Sequence, residues 1–162
     1  MNEFILTNQG GWLITFLASI LIWIIFAGLL VLWLVDGKIK KEQAIHAFLA
    51  AAFAWTIAEL IKTLIPSIRP FKLNGFTPLT LTVPSDGAFP SSHTAAAFAA
   101  AITVFLHNKK LGLIFISGAV LVGLGRFIAN VHFLFDILGG GVIGAVIALV
   151  VEKLHLVPRR RP

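Results

Sequence analysis

The 162-residue chain has no cysteine, which excludes disulfides and thiolate metal sites. It is poor in charge: Asp, Glu, Lys and Arg make up 12% of residues, where a typical soluble domain carries about 25%. Net charge is +6 and the pI about 10.2. Yet no stretch mixes basic and aromatic residues in the manner of a nucleic-acid surface, so nucleic acid is not an expected partner. Neither an internal repeat nor a linker is visible, and the chain reads as a single domain over residues 1–162. A cleavable signal is not expected: the first apolar run is too long for a signal h-region, and no A-x-A site follows it. What fills the chain instead is apolar, with 58% hydrophobic residues and a mean hydropathy of +0.95. These residues fall in runs long enough to cross a hydrocarbon core of about 30 Å. In such a chain basic loops read as topology signals and contacts with anionic lipid.

Five spans are expected, over residues 12–35, 44–65, 90–106, 111–129 and 133–151, which makes the fold an all-α polytopic transmembrane helix bundle. Trp12 and Trp33 bracket the first span, about 31 Å apart at 1.5 Å per residue, where an interfacial aromatic belt would lie. The third run is short for a span, so its outer end is expected to be recessed among its neighbours. Orientation follows from the lysines. Placing Lys38, Lys40 and Lys41 in the cytoplasm puts Lys109, Lys110, Lys153, Arg159, Arg160 and Arg161 there as well, nine basic residues on one side. The other side keeps four, Lys62, Arg69, Lys72 and Arg126. The positive-inside rule then sets the N-terminus outside and the C-terminus inside.

The external ionisable groups form a set. Lys62 ends span two, Arg69 follows it, His93 opens span three, Arg126 ends span four, and His132 and Asp136 open span five. Each alone reads as a snorkelling or satisfied side chain. Six at one depth, in a chain so short of charge, read as a functional site. Three cations and a helix N-terminus make an anion trap. Pro90 suits the first turn of a helix. Ser91, Ser92 and His93 then offer backbone N–H groups, hydroxyls and the helix dipole to a phosphate. His132 and Asp136, four apart, share a helical face, so the carboxylate can fix the imidazole tautomer and leave the other nitrogen as nucleophile or base. With His93 this gives two proton-handling groups, one to attack phosphorus and one to protonate the leaving oxygen. A His/Asp cluster can also hold a metal, but three neighbouring cations argue against one.

The spacings K-x6-R-P (Lys62, Arg69, Pro70), P-S-x-H (Pro90 to His93) and R-x5-H-x3-D (Arg126, His132, Asp136) occur in that order. Together they resemble the three-part signature of the type 2 phosphatidic acid phosphatase superfamily, membrane lipid phosphatases that share a site with vanadium haloperoxidases. The resemblance covers residues 44–151. It implies that Lys62, Arg69, Arg126, Ser91 and the Ser92 and His93 backbone N–H groups bind phosphate. It further implies His132 as nucleophile through a phosphohistidine, His93 as general acid, Asp136 as the group orienting His132, and neither metal nor organic cofactor. Two positions depart from the pattern: Ser92 stands where glycine is usual, adding a hydroxyl, and Gly125 where serine is usual, removing one from the phosphate shell. Six spans are common in the family; the one not counted here would be N-terminal.

Glu59, one turn before Lys62, is expected to support the lysine or to touch substrate. The G-x-x-x-G spacing within Gly139, Gly140, Gly141 and Gly144 is expected to serve packing within the monomer. The loop 71–89 is either a lid, with Phe71, Phe76, Leu79 and Leu81 dipping into the outer leaflet, or a connector. The stretch SDGAFPSSH, with Asp86 ahead of the serine motif, resembles the bacterial undecaprenyl-diphosphate phosphatase branch. The expected substrate is therefore a polyprenyl diphosphate, met at the outward face of a bacterial inner membrane. Phosphatidic acid or phosphatidylglycerol phosphate is the alternative, and a small non-enzymatic lipid or ion transporter is the alternative of another class.

Overall fold

The computed structural model describes residues 8–35 and 38–154. Arg159, Arg160 and Arg161 lie outside the described residues, as do the side chains of Lys38 and Lys40. The described chain is helical, with no strand. The first span comprises α1 (Asn8–Thr15), a π-helical turn (Phe16–Ile20) and α2 (Leu21–Val35). Then come α3 (Lys38–Leu64), a short α4 (Pro70–Asn74), α5 (Ser92–His107), α6 (Lys109–Ile128) and α7 (Leu134–Lys153). Among the described residues four stretches are long and apolar enough to cross a membrane: Gly10–Val35, Lys41–Leu64, Lys109–Ile128 and Leu134–Lys153. The fifth, α5, has 16 residues, about 24 Å of helix.

The packing is inverted relative to a water-soluble bundle. Large apolar side chains face outward, among them Trp23, Leu34, Ile114, Phe135 and Val142, while the interior is built from alanine. On α3 the buried alanines 44, 47, 51, 54 and 58 recur at three and four residues, a stripe along one face. On α5 nearly every residue from Thr94 to Ala101 is buried. This short helix is the centre of the bundle and packs against α3, α6 and α7. Small side chains let these backbones approach closely, where van der Waals contact replaces the hydrophobic effect as the driving force. Gly140 and Gly144 of α7 lie directly on α5. A Cβ on Gly140 would meet the Ser91 carbonyl oxygen at 2.5 Å, and one on Gly144 would collide with that of Ala95. The G-x-x-x-G spacing is thus spent inside the monomer.

Helix ends are set locally. Ser91 caps α5, its Oγ accepting from Thr94 N–H at 3.4 Å, and Asn108 caps α6 by accepting from Leu111 N–H at 3.2 Å. Pro90 therefore stands one residue ahead of the cap and not in the first turn of the helix, because the serine hydroxyl takes the capping role. The ends 64–92 and 128–134 meet at one pole of the bundle. The opposite pole carries the beginning of α3, the α5–α6 corner and the end of α7.

The loop 71–89 is tied down. Phe71 N–H donates to Asn130 O, Leu79 N–H to Ala129 O, and Leu81 N–H to Ser19 Oγ. Phe71 and Leu79 pack on Ile14, Ala18, Ala129 and Val131, so they are not available to enter a leaflet. Phe76 and Leu81 remain exposed.

Candidate active site

Lys62, Arg69, Ser91, Ser92, Arg126, His132 and Asp136 are all buried at the first pole, with His93 and Glu59 half-buried beside them. Arg126, His132, Lys62 and Arg69 each lie within electrostatic reach of His93.

Arg69 is 1% exposed and uses all five of its N–H groups. Nε donates to Asp86 O (3.0 Å), and NH2 to Asp86 Oδ1 (2.8 Å) and Gly87 O (2.9 Å). NH1 donates to Val131 O (2.9 Å) and faces His132 Nε2 at 3.2 Å. The guanidinium thus fastens the loop before α5 to the turn before α7. Lys62 Nζ donates to Glu59 Oε1 and to Asp86 Oδ2, both at 2.8 Å. Asp86 therefore bridges two of the three cations. Burial raises the Asp86 pKa, but Lys62 and Arg69 outweigh it and hold the carboxyl at about 2 against an ordinary 3.8. Sequence reasoning used Asp86 only as a mark of substrate branch. Its partners lie 24 and 17 residues away, and no periodicity links a loop residue to them.

Arg126 is the under-satisfied cation. It is 6% exposed, NH1 donates to Ala18 O at 3.2 Å, and Nε has no partner among the described residues. The acceptor belongs to the π-helical turn of the first span. Gly125 explains the approach: a Cβ there would lie 2.7 Å from the backbone of Leu17 and Ala18. The departure from serine at this position thus makes room for the first span.

The hydroxyls are also placed. Ser91 Oγ lies 2.9 Å from Thr94 Oγ1, and Ser91 N–H donates to Asp136 O at 3.0 Å. Ser92 Oγ donates to Glu59 Oε1 at 2.6 Å. The extra hydroxyl of Ser92 thus secures Glu59 and through it Lys62. At the first two helical positions, the Ser92 and His93 N–H groups have no intrahelical acceptor.

Asp136 Oδ2 accepts from Phe133 N–H at 2.8 Å and sits 3.5 Å from His132 Nδ1, long for a hydrogen bond. A guanidinium can only donate, so Arg69 NH1 requires a lone pair on His132 Nε2. The proton of the neutral ring is then on Nδ1, facing Asp136. Burial holds His132 well below the usual imidazole range, Asp136 opposes this, and Arg126 and Arg69 reinforce it. The turn itself is set by Asn130 at φ 64°. Its amide pairs reciprocally with that of Asn74 at 2.9 and 3.0 Å. Thr94, Asn74 and Asn130 were not singled out by the sequence reading.

His93 packs against Trp55, ring centroids 4.9 Å apart. It also lines a cavity of about 460 Å³ whose other walls are Ile22, Trp23, Phe26, Phe48, Ala51, Ala52, Trp55 and Ala96. Among the described residues the imidazole is the one ionisable group in that apolar wall.

The chain is similar to known proteins. Over residues 43–160 the chain matches the PAP2 superfamily. The bacitracin transport permease protein BcrC of Bacillus licheniformis is 29% identical over 136 residues, 84% of this chain and 67% of that protein. Undecaprenyl-diphosphatase BcrC of Bacillus subtilis is 27% identical over 122 residues, 75% of this chain and 63% of that protein. The chain thus spans about two thirds of the length of these curated relatives. The crystal structure of Aquifex aeolicus LpxE superposes with a TM-score of 0.74 at 26% identity, covering 94% of this chain and 93% of that one. With four helices of membrane-crossing length, a fifth at their centre, and this match over most of its length, the chain is an integral membrane protein of the PAP2 superfamily.

Proposed function

We propose that the chain is a metal-independent lipid phosphatase that removes the terminal phosphate of a polyprenyl diphosphate through a phosphohistidine. The observation that carries the reading is His132: a buried imidazole whose Nε2 faces Arg69 NH1 at 3.2 Å, with Arg126, itself short of a partner, within electrostatic reach. Nε2 attacks the terminal phosphorus, forming a P–N bond while the P–O bond to the lipid monophosphate breaks. His93 gives its proton to that leaving oxygen, then takes one from the water that cleaves the P–N bond and releases phosphate. Asp136 stabilises the charge that appears on His132. Arg126, with Nε unpartnered, Lys62, and the Ser92 and His93 N–H groups meet the charge developing on the phosphoryl oxygens. Arg69 NH1 turns from Nε2 to the incoming phosphate.

The lipid side of the reading rests on the cavity beside His93, apolar along α2, α3 and α5, which suits a prenyl chain and leaves the head at the imidazole. The undecaprenyl-diphosphatase name of one relative supports the diphosphate head. The outward-facing site in a bacterial inner membrane rests on the lysine distribution. A transport activity, as another relative's name would suggest, does not require a histidine and a carboxylate four residues apart beside three cations.

The test is phosphate release by purified protein in detergent from undecaprenyl diphosphate, undecaprenyl monophosphate, phosphatidic acid and phosphatidylglycerol phosphate. Fastest release from the diphosphate is expected. Release from none of them, with lipid movement in proteoliposomes, would overturn the enzymatic reading.

A further inference from the structure

At the pole opposite the phosphate site stands a second constellation of polar groups, His46 buried and His107 and Glu152 half-buried, which the phosphatase chemistry does not use. His46 stands near the start of α3, His107 ends α5, and Glu152 lies in the last turn of α7. His46 precedes Lys62 by 16 residues of one helix, about 24 Å. His46 Nδ1 is 3.5 Å and His107 Nε2 3.4 Å from the same oxygen, Glu152 Oε2. One donor atom from each of the three lies within 4.8 Å of the others.

The two imidazoles present lone pairs that no described donor serves. His107 Nδ1 lies 2.9 Å from Thr103 O, an acceptor, so it carries the proton and Nε2 is a bare lone pair in the neutral ring. That lone pair faces a carboxylate oxygen, and two acceptors in contact repel. His46 is 2% exposed and neither of its nitrogens has a hydrogen-bond partner among the described residues, an arrangement that costs free energy unless something is bound. With the His46 ring proton on Nδ1 and one added proton on His107 Nε2, both rings could donate to the carboxylate. The buried His46 Nε2 would still have no partner among the described residues.

We propose that His46, His107 and Glu152 form a binding site for one divalent cation of the zinc class, which staples α3, α5 and α7 together at this pole. Zinc bonds of about 2.0–2.1 Å in tetrahedral geometry set neighbouring ligand atoms about 3.3 Å apart, close to the two separations found. Two imidazoles and one carboxylate favour zinc, cobalt or nickel over magnesium or calcium, which prefer oxygen. The fourth position falls to water. Thr103 O, holding His107 Nδ1, is the outer contact that fixes that ligand's tautomer. The cation serves the fold and not the phosphoryl transfer, which takes place at the other end of the helices.

The test uses untagged full-length protein in detergent, stripped with a chelator and dialysed. Equilibrium dialysis against Zn²⁺ should give one equivalent, unaffected by excess Mg²⁺. Co²⁺ should give the intense ligand-field bands of a four-coordinate site. Zn²⁺ should raise Tm in the wild type. In His46→Ala, His107→Ala and Glu152→Gln, affinity should fall at least tenfold and the Tm response should vanish, while phosphatase activity at low temperature persists and reports folding. Should an alanine variant not fold, Glu152→Gln and the wild-type Co²⁺ spectrum decide. No saturable Zn²⁺ binding, a six-coordinate Co²⁺ spectrum, or undiminished affinity in Glu152→Gln would each overturn the site.

Discussion

Asp86 shows what a single residue does that spacing alone does not reveal. The cations Lys62 and Arg69 were legible from the sequence because they close a motif. Their anchor was not, because Asp86 lies in a loop without periodicity and meets them only after folding. Arg126 illustrates the same limit: its acceptor is the backbone carbonyl of Ala18, 108 residues away, and a carbonyl has no residue signature. The pH dependence of the clamp follows from its sign. Asp86 has a folded pKa of about 2 against 3.8, so its contribution is complete above pH 3.8 and is lost as pH falls towards 2. Allowing for solvent at this half-open position, that contribution is about 1 kcal/mol. The Tm difference between wild type and Asp86→Asn should be constant from pH 8 to pH 5 and shrink below pH 4. A difference that grows on acidification would mean that the carboxylate is not the stabilising form. The two histidines are separated by leaving group. His132→Ala should abolish phosphate release from every substrate, since the P–N bond cannot form. His93→Ala should cost about 10²–10⁴-fold where an alkoxide leaves, as from phosphatidic acid. It should cost less where a lipid monophosphate leaves, and least with p-nitrophenolate. Rate ratios of mutant to wild type across the three leaving groups measure this; equal losses for His93→Ala would place it in the phosphate cradle instead.

At the scale of elements, the five apolar runs were readable to within a few residues because apolar length carries the signal. The expected 12–35 and 111–129 became Gly10–Val35 and Lys109–Ile128. The shortness of α5 was readable too, and it goes with burial: the helix is enclosed by α3, α6 and α7. What hydropathy could not convey was the bond between the first span and α6, made through Gly125 and the π-helical turn. This contact gives a direct test of the departure at position 125. If serine there only restored a missing phosphate ligand, Gly125→Ser would raise kcat. With the Leu17 and Ala18 backbone 2.7 Å from any Cβ, the substitution should instead destabilise by about 1–3 kcal/mol, the usual effect of overpacking. It should also lower activity by displacing Arg126. A thermal melt and a kcat measurement on one preparation separate the two accounts.

Taken whole, the molecule gathers two sets of polar side chains at opposite ends of the same three helices: cations and hydroxyls around α5's beginning, imidazoles and a carboxylate around its end. A chelator should distinguish the ends. Initial rates in EDTA should match those without it, because the phosphate is met by side-chain cations, while the Tm of the chelated protein should be lower. Loss of rate at full thermal stability, restored by a divalent ion, would move the metal to the reaction. Which end faces out is a separate question, and charge gives the expectation. Lys41, Lys109, Lys110 and Lys153 lie at the second pole, with the Arg159–161 tail following α7 in sequence. Positive loops are retained in the cytoplasm, so the phosphate site should open outward, and the absence of native cysteine gives labelling a clean background. Thr77 and Lys110 are exposed at opposite poles. In intact cells an impermeant thiol reagent should modify Thr77→Cys and spare Lys110→Cys until the membrane is permeabilised. The opposite pattern would turn the protein over and put the phosphatase site in the cytoplasm, where it would meet lipid phosphates of the inner leaflet.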